Sequence, residues 1–198
     1  MANVKQKMVA SFKSYDLGEA LRLADSILAV DPDDLEALSV KANILALPDP
    51  EFCNYEAAVR ISEDAVARHP SDMRYLLALA DVQKNTGEYA AAEQSYRRVM
   101  QVDVDNLDAR LCLASLEGHP GTNITSAEAQ SLLEAAIQHH PAQWKPHAVL
   151  AQNLYRHGKY RDAARQYELA LLNTDSMPQE FRNSLNQELI DVQQRLKM

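Results

Sequence analysis

The sequence predicts an all-α protein, an α-solenoid of about five helix-turn-helix units closed by a C-terminal capping helix. Composition points there first. Its 198 residues include 5 Gly and 6% aromatic residues, with abundant Ala, Leu, Glu and Gln, which lose little side-chain entropy in a helix. Internal register is the second observation. Gly87, Tyr89, Ala92 and Tyr96 align with Gly158, Tyr160, Ala163 and Tyr167 at a constant offset of 71 residues, which also places Leu79-Ala80 over Leu150-Ala151. The third is the period. Unit ends at Pro32, Pro70, Val104, Pro141 and Asp175 are 38, 34, 37 and 34 residues apart, a repeat of 34 with two insertions.

Each element then has its own reason. The first unit, residues 1–34, carries Leu17, Ala20, Ala24 and Ile27 at helical spacing before Pro32. In the second, 35–72, Leu35, Leu38, Ala42 and Leu45 share one face, and Tyr55, Ala58, Ser62 and Ala65 another, before Pro70. The third, 73–106, turns at Gly87 into the face Tyr89, Ala92, Tyr96 and Val99. The fourth, 107–143, repeats the column as Ser126, Ala129, Leu133 and Ala136 before Pro141; the fifth, 144–176, turns at Gly158. The segment 177–198 places Phe181, Leu185, Leu189, Val192 and Leu196 at helical spacing among Gln, Glu and Arg, which suits a cap. Gly87 and Gly158 suit left-handed helix ends, and the prolines stop second helices. Asp33-x-x-Glu36 and Thr125-x-x-Glu128 have the form of capping boxes. Ala80, Ala92, Ala151 and Ala163 are small enough for helix axes to approach closely, with Tyr96 and Tyr167 filling the space beyond.

Charge and cysteine use narrow the function classes. A net charge of −8 disfavours nucleic acid, whose phosphates need clustered Lys and Arg, and favours a basic or neutral partner. Cys53 and Cys112 form no Cys-x-x-Cys pair, so neither a disulfide framework nor a zinc knuckle is expected, and a reduced, cytoplasmic chain is the simple reading. The start Met1-Ala-Asn-Val-Lys-Gln-Lys leads into no long apolar run, and no membrane span or signal peptide is expected.

The repeat resembles the tetratricopeptide repeat family, over residues 1 to about 176 and most strongly in the third unit (Leu76, Leu79, Ala80, Gly87, Tyr89, Ala92, Tyr96) and the fifth (Leu150, Ala151, Gly158, Tyr160, Ala163, Tyr167, Ala170). Departures are local. Val4, Lys7, Met8 and Ser11 stand where large apolar residues are usual, Lys41 occupies a usually apolar place, and Arg110 replaces a common aromatic. The resemblance implies a superhelix whose first helices line a concave groove for peptide segments of other proteins. Carried over residue by residue, the groove positions are Ser39 and Asn43, then Arg74, Leu77, Asp81 and Lys84, then Asp108, Leu111 and Ser115, then Lys145, Ala148 and Gln152. Asn43 is the most informative, because an amide pairs with both polar groups of an extended backbone. The Lys, Asn and Arg set with which some members grip a chaperone-tail carboxylate is absent, since Asp81, Leu111, Ser115 and Ala148 hold those places.

The two insertions fall within 47–55 and 117–125, both in turns inside a repeat, and Phe52, His119 and Ile124 are candidates for a secondary contact site on that rim. Catalytic signatures are missing. No phosphate-binding loop, His-Glu-x-x-His or Gly-x-Ser-x-Gly occurs, and the late histidines His139, His140, His147 and His157 lack an acidic pair at ligand spacing, so no cofactor or metal is expected. Cys112 and Trp144 read as core residues. The reading that follows is a non-enzymatic adaptor or scaffold for a protein or peptide partner. The alternatives are a self-assembling homo-oligomer, an acidic inhibitor or chaperone of a basic partner, and an enzyme without recognisable motifs.

Overall fold

The structure, a computed structural model, describes residues 2–173 and 177–197. Among them are eleven helices and no strand: α1 (Ala2–Lys13), α2 (Leu17–Leu28), α3 (Leu35–Leu45), α4 (Tyr55–Arg68), α5 (Met73–Asn85), α6 (Tyr89–Val102), α7 (Leu107–Ser115), α8 (Ser126–His139), α9 (Trp144–Arg156), α10 (Tyr160–Leu172) and α11 (Gln179–Arg195). Asp175 and Ser176, at the expected end of the fifth unit, and Met198, the expected end of the capping segment, lie outside the described residues. Two compact units result, Met1–Val102 with α1 to α6 and Asp103–Met198 with α7 to α11. In each, consecutive helices pack as antiparallel neighbours, and α11 packs on α10.

Short polar side chains start these helices. Asp16, Asp34, Asn54, Asp72, Asn106 and Thr125 each accept a backbone N–H from the first turn that follows, satisfying donors the helix cannot. Thr125 does so toward Glu128 at 3.1 Å, as its motif predicts. The motif at Asp33 is corrected by one residue. Asp34 is the cap, bonded to Ala37 at 3.0 Å, while Asp33 turns to Arg68 at 2.7 Å. Adjacent aspartates compete for a cap, and helix α3 starts where the extended backbone of Asp34 allows it (φ −64°, ψ 106°). At the other ends, Gly87 and Gly158 adopt φ of +84° and +70°, the left-handed conformation their turns require. Pro70 and Pro141 directly follow the cap residues His69 and His140.

The alanine column forms the core. In the first unit Ala20, Ala24 and Ala37 are fully buried beside Leu17, Leu23, Ile27, Val40 and Ile44. In the second, Ala129, Ala136, Ala151, Ala163 and Ala170 have no exposed surface, and Tyr167 and Leu133 fill the gaps left by the close approach. The weak first helix forms as well. Met8 is fully buried in the first cluster, with Val9 and Phe12 packed against it, so one flexible thioether and two partly buried neighbours supply what the larger residues usually do. The two other departures are also accommodated. Lys41 reaches Asp25 at 2.6 Å, and buried Arg110 bonds the Val104 carbonyl and lies 3.3 Å from Asp105, so a guanidinium stem and its bonds replace an aromatic ring.

Candidate functional site

The first unit brings α1, α3 and α5 side by side, and their adjoining faces enclose a groove of about 730 Å³. Its apolar surface comes from Val9, Phe12, Val40 and Tyr75; its border carries Asp31, Asp33, Asp34 and Glu36 against Lys5 and Arg74. Four carboxylates to two cations make it acidic. Most of these charges are held in place. Lys5 pairs with Asp34, Arg74 grips Asp72 at 2.6 Å, and Asp33 meets Arg68 and His69. The Tyr75 hydroxyl donates to the Asp33 carbonyl, and its ring stacks on His69 with centroids 4.5 Å apart. Burial works to raise the Asp33 and Asp34 carboxyls, but hydrogen bonds from Arg68 and His69 to the one and from Lys5 and Ala37 to the other outweigh it, and both lie below the ordinary aspartate value. The Arg74 hydrogen bond brings Asp72 down to about 2.

Ser39, Asn43 and Arg74 line this groove. Asn43 is not idle, however: its amide donates to the Ser39 carbonyl at 2.8 Å and its oxygen accepts from Asn85 at 3.1 Å. It cross-braces α3 and α5. Leu77 and Lys84 are partly exposed on α5, and Asp81 accepts the Tyr96 hydroxyl at 2.6 Å, a tie between the helices of one pair.

In the second unit the expected positions divide. Asp108 and Lys145 are exposed and 3.9 Å apart, and Gln152 is exposed on α9, donating to Glu188 of α11 at 3.2 Å. Ser115 donates to the Cys112 carbonyl at 2.6 Å. Leu111 and Ala148 correct the expectation. They are 6% and 4% exposed, because α7 and α9 pack closely enough to enclose both, and neither offers a partner surface. The rim expectation is corrected similarly. Ile124 is 6% exposed, anchoring its long loop into the core, while Phe52, packed on the first core cluster near Gly18, and His119 are both partly exposed.

A buried polar network on the repeat boundary had no motif to announce it. Glu117, 8% exposed, accepts from Asn153 at 2.5 Å, and lies 2.9 Å from His157 and 3.7 Å from Arg156. Burial opposes its charge, yet the hydrogen bonds from His157 and Asn153 and the neighbouring cations hold the carboxyl below the ordinary glutamate value. A signal did exist: Asn153 and His157 stand 36 and 40 residues beyond Glu117, about one repeat away. The histidines take structural partners. His139 meets Asp105 at 2.7 Å and His147 meets Gln166 at 2.8 Å. Trp144 is buried and its ring lies 5.4 Å from Phe181 of α11. Among the described residues no group of three or more His, Cys, Asp or Glu is arranged to hold a metal ion, and no helix is long and apolar enough to cross a membrane.

Comparison with known proteins agrees with this geometry. The tetratricopeptide repeat family model matches residues 54–101, which hold α4, α5 and all but the last residue of α6. No curated protein matches in sequence. Among solved structures, a thermophilic TPR protein of Thermus thermophilus superposes with a TM-score of 0.77 at 17% identity, over 96% of this chain and 97% of that one. A tetratricopeptide repeat protein from Parabacteroides merdae gives 0.74 at 15% identity, over 94% and 70%. At such identities the likeness is one of fold. Joined to the family match over residues 54–101, it shows that the chain has the α-solenoid fold of tetratricopeptide repeat proteins.

Proposed function

We propose that the chain is a non-enzymatic adaptor or scaffold that holds a segment of a basic partner protein against the first helices of its repeats. The tetratricopeptide repeat fold commonly mediates protein–protein interaction and is typically non-enzymatic. The observation that carries the finer reading is the acidic groove over α1, α3 and α5. Its floor offers apolar and aromatic surface for alternate side chains of an extended segment. Its border repels anions and attracts Lys and Arg, in keeping with a net charge of −8. Of the expected contacts, Ser39, Arg74, Leu77 and Lys84 in the first unit and Asp108, Ser115, Lys145 and Gln152 in the second remain the proposed ones. Two cysteines in separate places, Cys53 in the loop before α4 and Cys112 in α7, support a reducing, cytoplasmic setting.

The test is partner capture from native lysate on the immobilised chain, compared with Ser39→Trp, which fills the groove, and Glu36→Lys, which reverses its charge. Glu63→Lys on the exposed side of α4 makes the same charge change elsewhere. A partner retained by the native chain and Glu63→Lys but lost from the two folded groove variants supports the reading. Equal capture by all four overturns it.

A further inference from the structure

The second unit holds another cavity, of about 420 Å³, bounded by α9, α10 and α11 and by Ser115 at the end of α7. Val149 and Val192 supply aliphatic wall, Tyr155 and Tyr167 supply rings, and Glu188 and Asp191 of α11 supply two carboxylates. Glu188 is held from three sides, accepting the Tyr167 hydroxyl at 2.6 Å, the Gln152 amide at 3.2 Å and the Ser184 hydroxyl at 3.4 Å. Asp191 accepts the Gln187 amide at 3.0 Å. Among the described residues neither carboxylate is paired with a cation. The cation in the wall, Arg156, is engaged with Glu117. The cavity therefore presents fixed negative charge at one end and apolar surface at the other. An anion would meet both carboxylates, and a neutral apolar ligand would strip their water without compensation. A long side chain with an apolar stem and a cationic head satisfies both ends, and the two tyrosine rings add cation–π attraction.

We propose that this cavity receives a lysine or arginine side chain from a basic segment of a partner protein, its stem on Val149 and Val192 and its head at Glu188 and Asp191. This deepens the function proposed above at Ser115 and Gln152, which line the cavity, and shares no residue with the groove of the first unit, so that groove can fail without it.

The experiment follows the amide signals of the full chain by NMR. The probes are three acetylated, amidated octapeptides of Gly and Ser whose two central residues are arginine, lysine or citrulline. Expected are shifts at Val149, Gln152, Asp191 and Val192 with the two charged peptides and none with the citrulline peptide. Glu188→Gln with Asp191→Asn weakens binding at least about tenfold, the scale of losing charge-assisted hydrogen bonds. Asp191→Asn alone, on an exposed residue that leaves the Tyr167–Glu188 bond intact, weakens it by a smaller factor. Glu36→Lys in the first-unit groove leaves these shifts unchanged, which separates failure of this site from failure of the groove that carries the function proposed above. Equal shifts with citrulline, undiminished binding by both carboxylate variants, or shifts confined to other residues overturn the proposal. So do equal shifts with spermidine at matched charge, which assign the cavity to small amines, and shifts that grow with protein concentration alone, which assign it to a second copy.

Discussion

Glu117 holds Asn153 and His157 across the turn between α7 and α8, and both donors arrive from α9 and its end. Asn153 is 3% exposed, so removing its acceptor leaves an amide buried without a partner, and that desolvation is what the mutation would cost. Glu117→Ala is expected to lower the unfolding free energy by about 1–3 kcal/mol. Glu117→Gln should lower it less, because an amide oxygen still accepts from Asn153 while the attraction to His157 and Arg156 is lost. Urea unfolding followed by the fluorescence of Trp144, the single tryptophan, ranks the two; a Gln variant as unstable as Ala would refute the division between hydrogen bond and charge. For this network the sequence offered only the spacing of about one repeat between Glu117 and its partners. Glu117 is the one acid of its insertion, and only packing shows that it is buried.

Helix ends follow a simpler logic and were more legible. Gly87 and Gly158 have positive φ and no heavy atom within 4 Å of an added Cβ, so alanine there pays only in backbone strain. Gly87→Ala and Gly158→Ala should each destabilise by about 1–2 kcal/mol, and nearly additively, since they lie far apart in sequence and in different units. Gly18→Ala should have the opposite sign, stabilising by up to about 0.5–1 kcal/mol, because the position is helical and its Cβ would rest 3.9 Å from the Phe52 ring. Thermal unfolding of the three variants checks signs as well as sizes. The period, the turn glycines and the alanine column were readable because each is a local demand repeated along the chain. Asp33 and Asp34 were not separable, because both have the chemistry of a cap and only backbone geometry chooses. Leu111, Ala148 and Ile124 were misplaced for a related reason: the repeat gives which helix face a residue occupies, but how closely the next helix approaches is set by tertiary packing. The capping helix shows both sides. Leu185 and Val192 are 3% and 1% exposed, as their spacing implies, whereas Phe181 is 50% exposed although its ring still touches Trp144. Leu185→Ala should cost about 2–5 kcal/mol, read from the shift of the Trp144-monitored urea transition, and an effect below 1 kcal/mol would mean that α11 contributes little to the second unit.

The titratable groups of the whole molecule together set a window of stability. Glu19, held down to about 2 by its hydrogen bonds from Arg22 and Lys7, joins Asp33, Asp34, Asp72 and Glu117 as carboxylates depressed in the fold. A depressed carboxyl binds protons more weakly folded than unfolded. Its contribution is complete above the unfolded values of 3.8 for Asp and 4.5 for Glu and is lost as pH falls through the folded value. Tyr75 and Tyr167 act on the other flank. Burial raises both hydroxyls, and for Tyr167 the bond to Glu188 adds to it. The unfolded chain therefore releases these protons first, and stability drops as pH rises beyond 10. Thermal midpoints should form a plateau between these flanks as far as these groups determine it. Glu117→Gln should flatten the acid flank and leave the alkaline one unchanged. Tyr167→Phe should do the reverse, because the ring still fills its place while the hydroxyl that must stay protonated is gone. Calorimetry from pH 3 to 11 on the three proteins decides the matter. An acid flank unchanged by Glu117→Gln would show that its ion pairs persist in the unfolded chain or carry no net weight in the folded one.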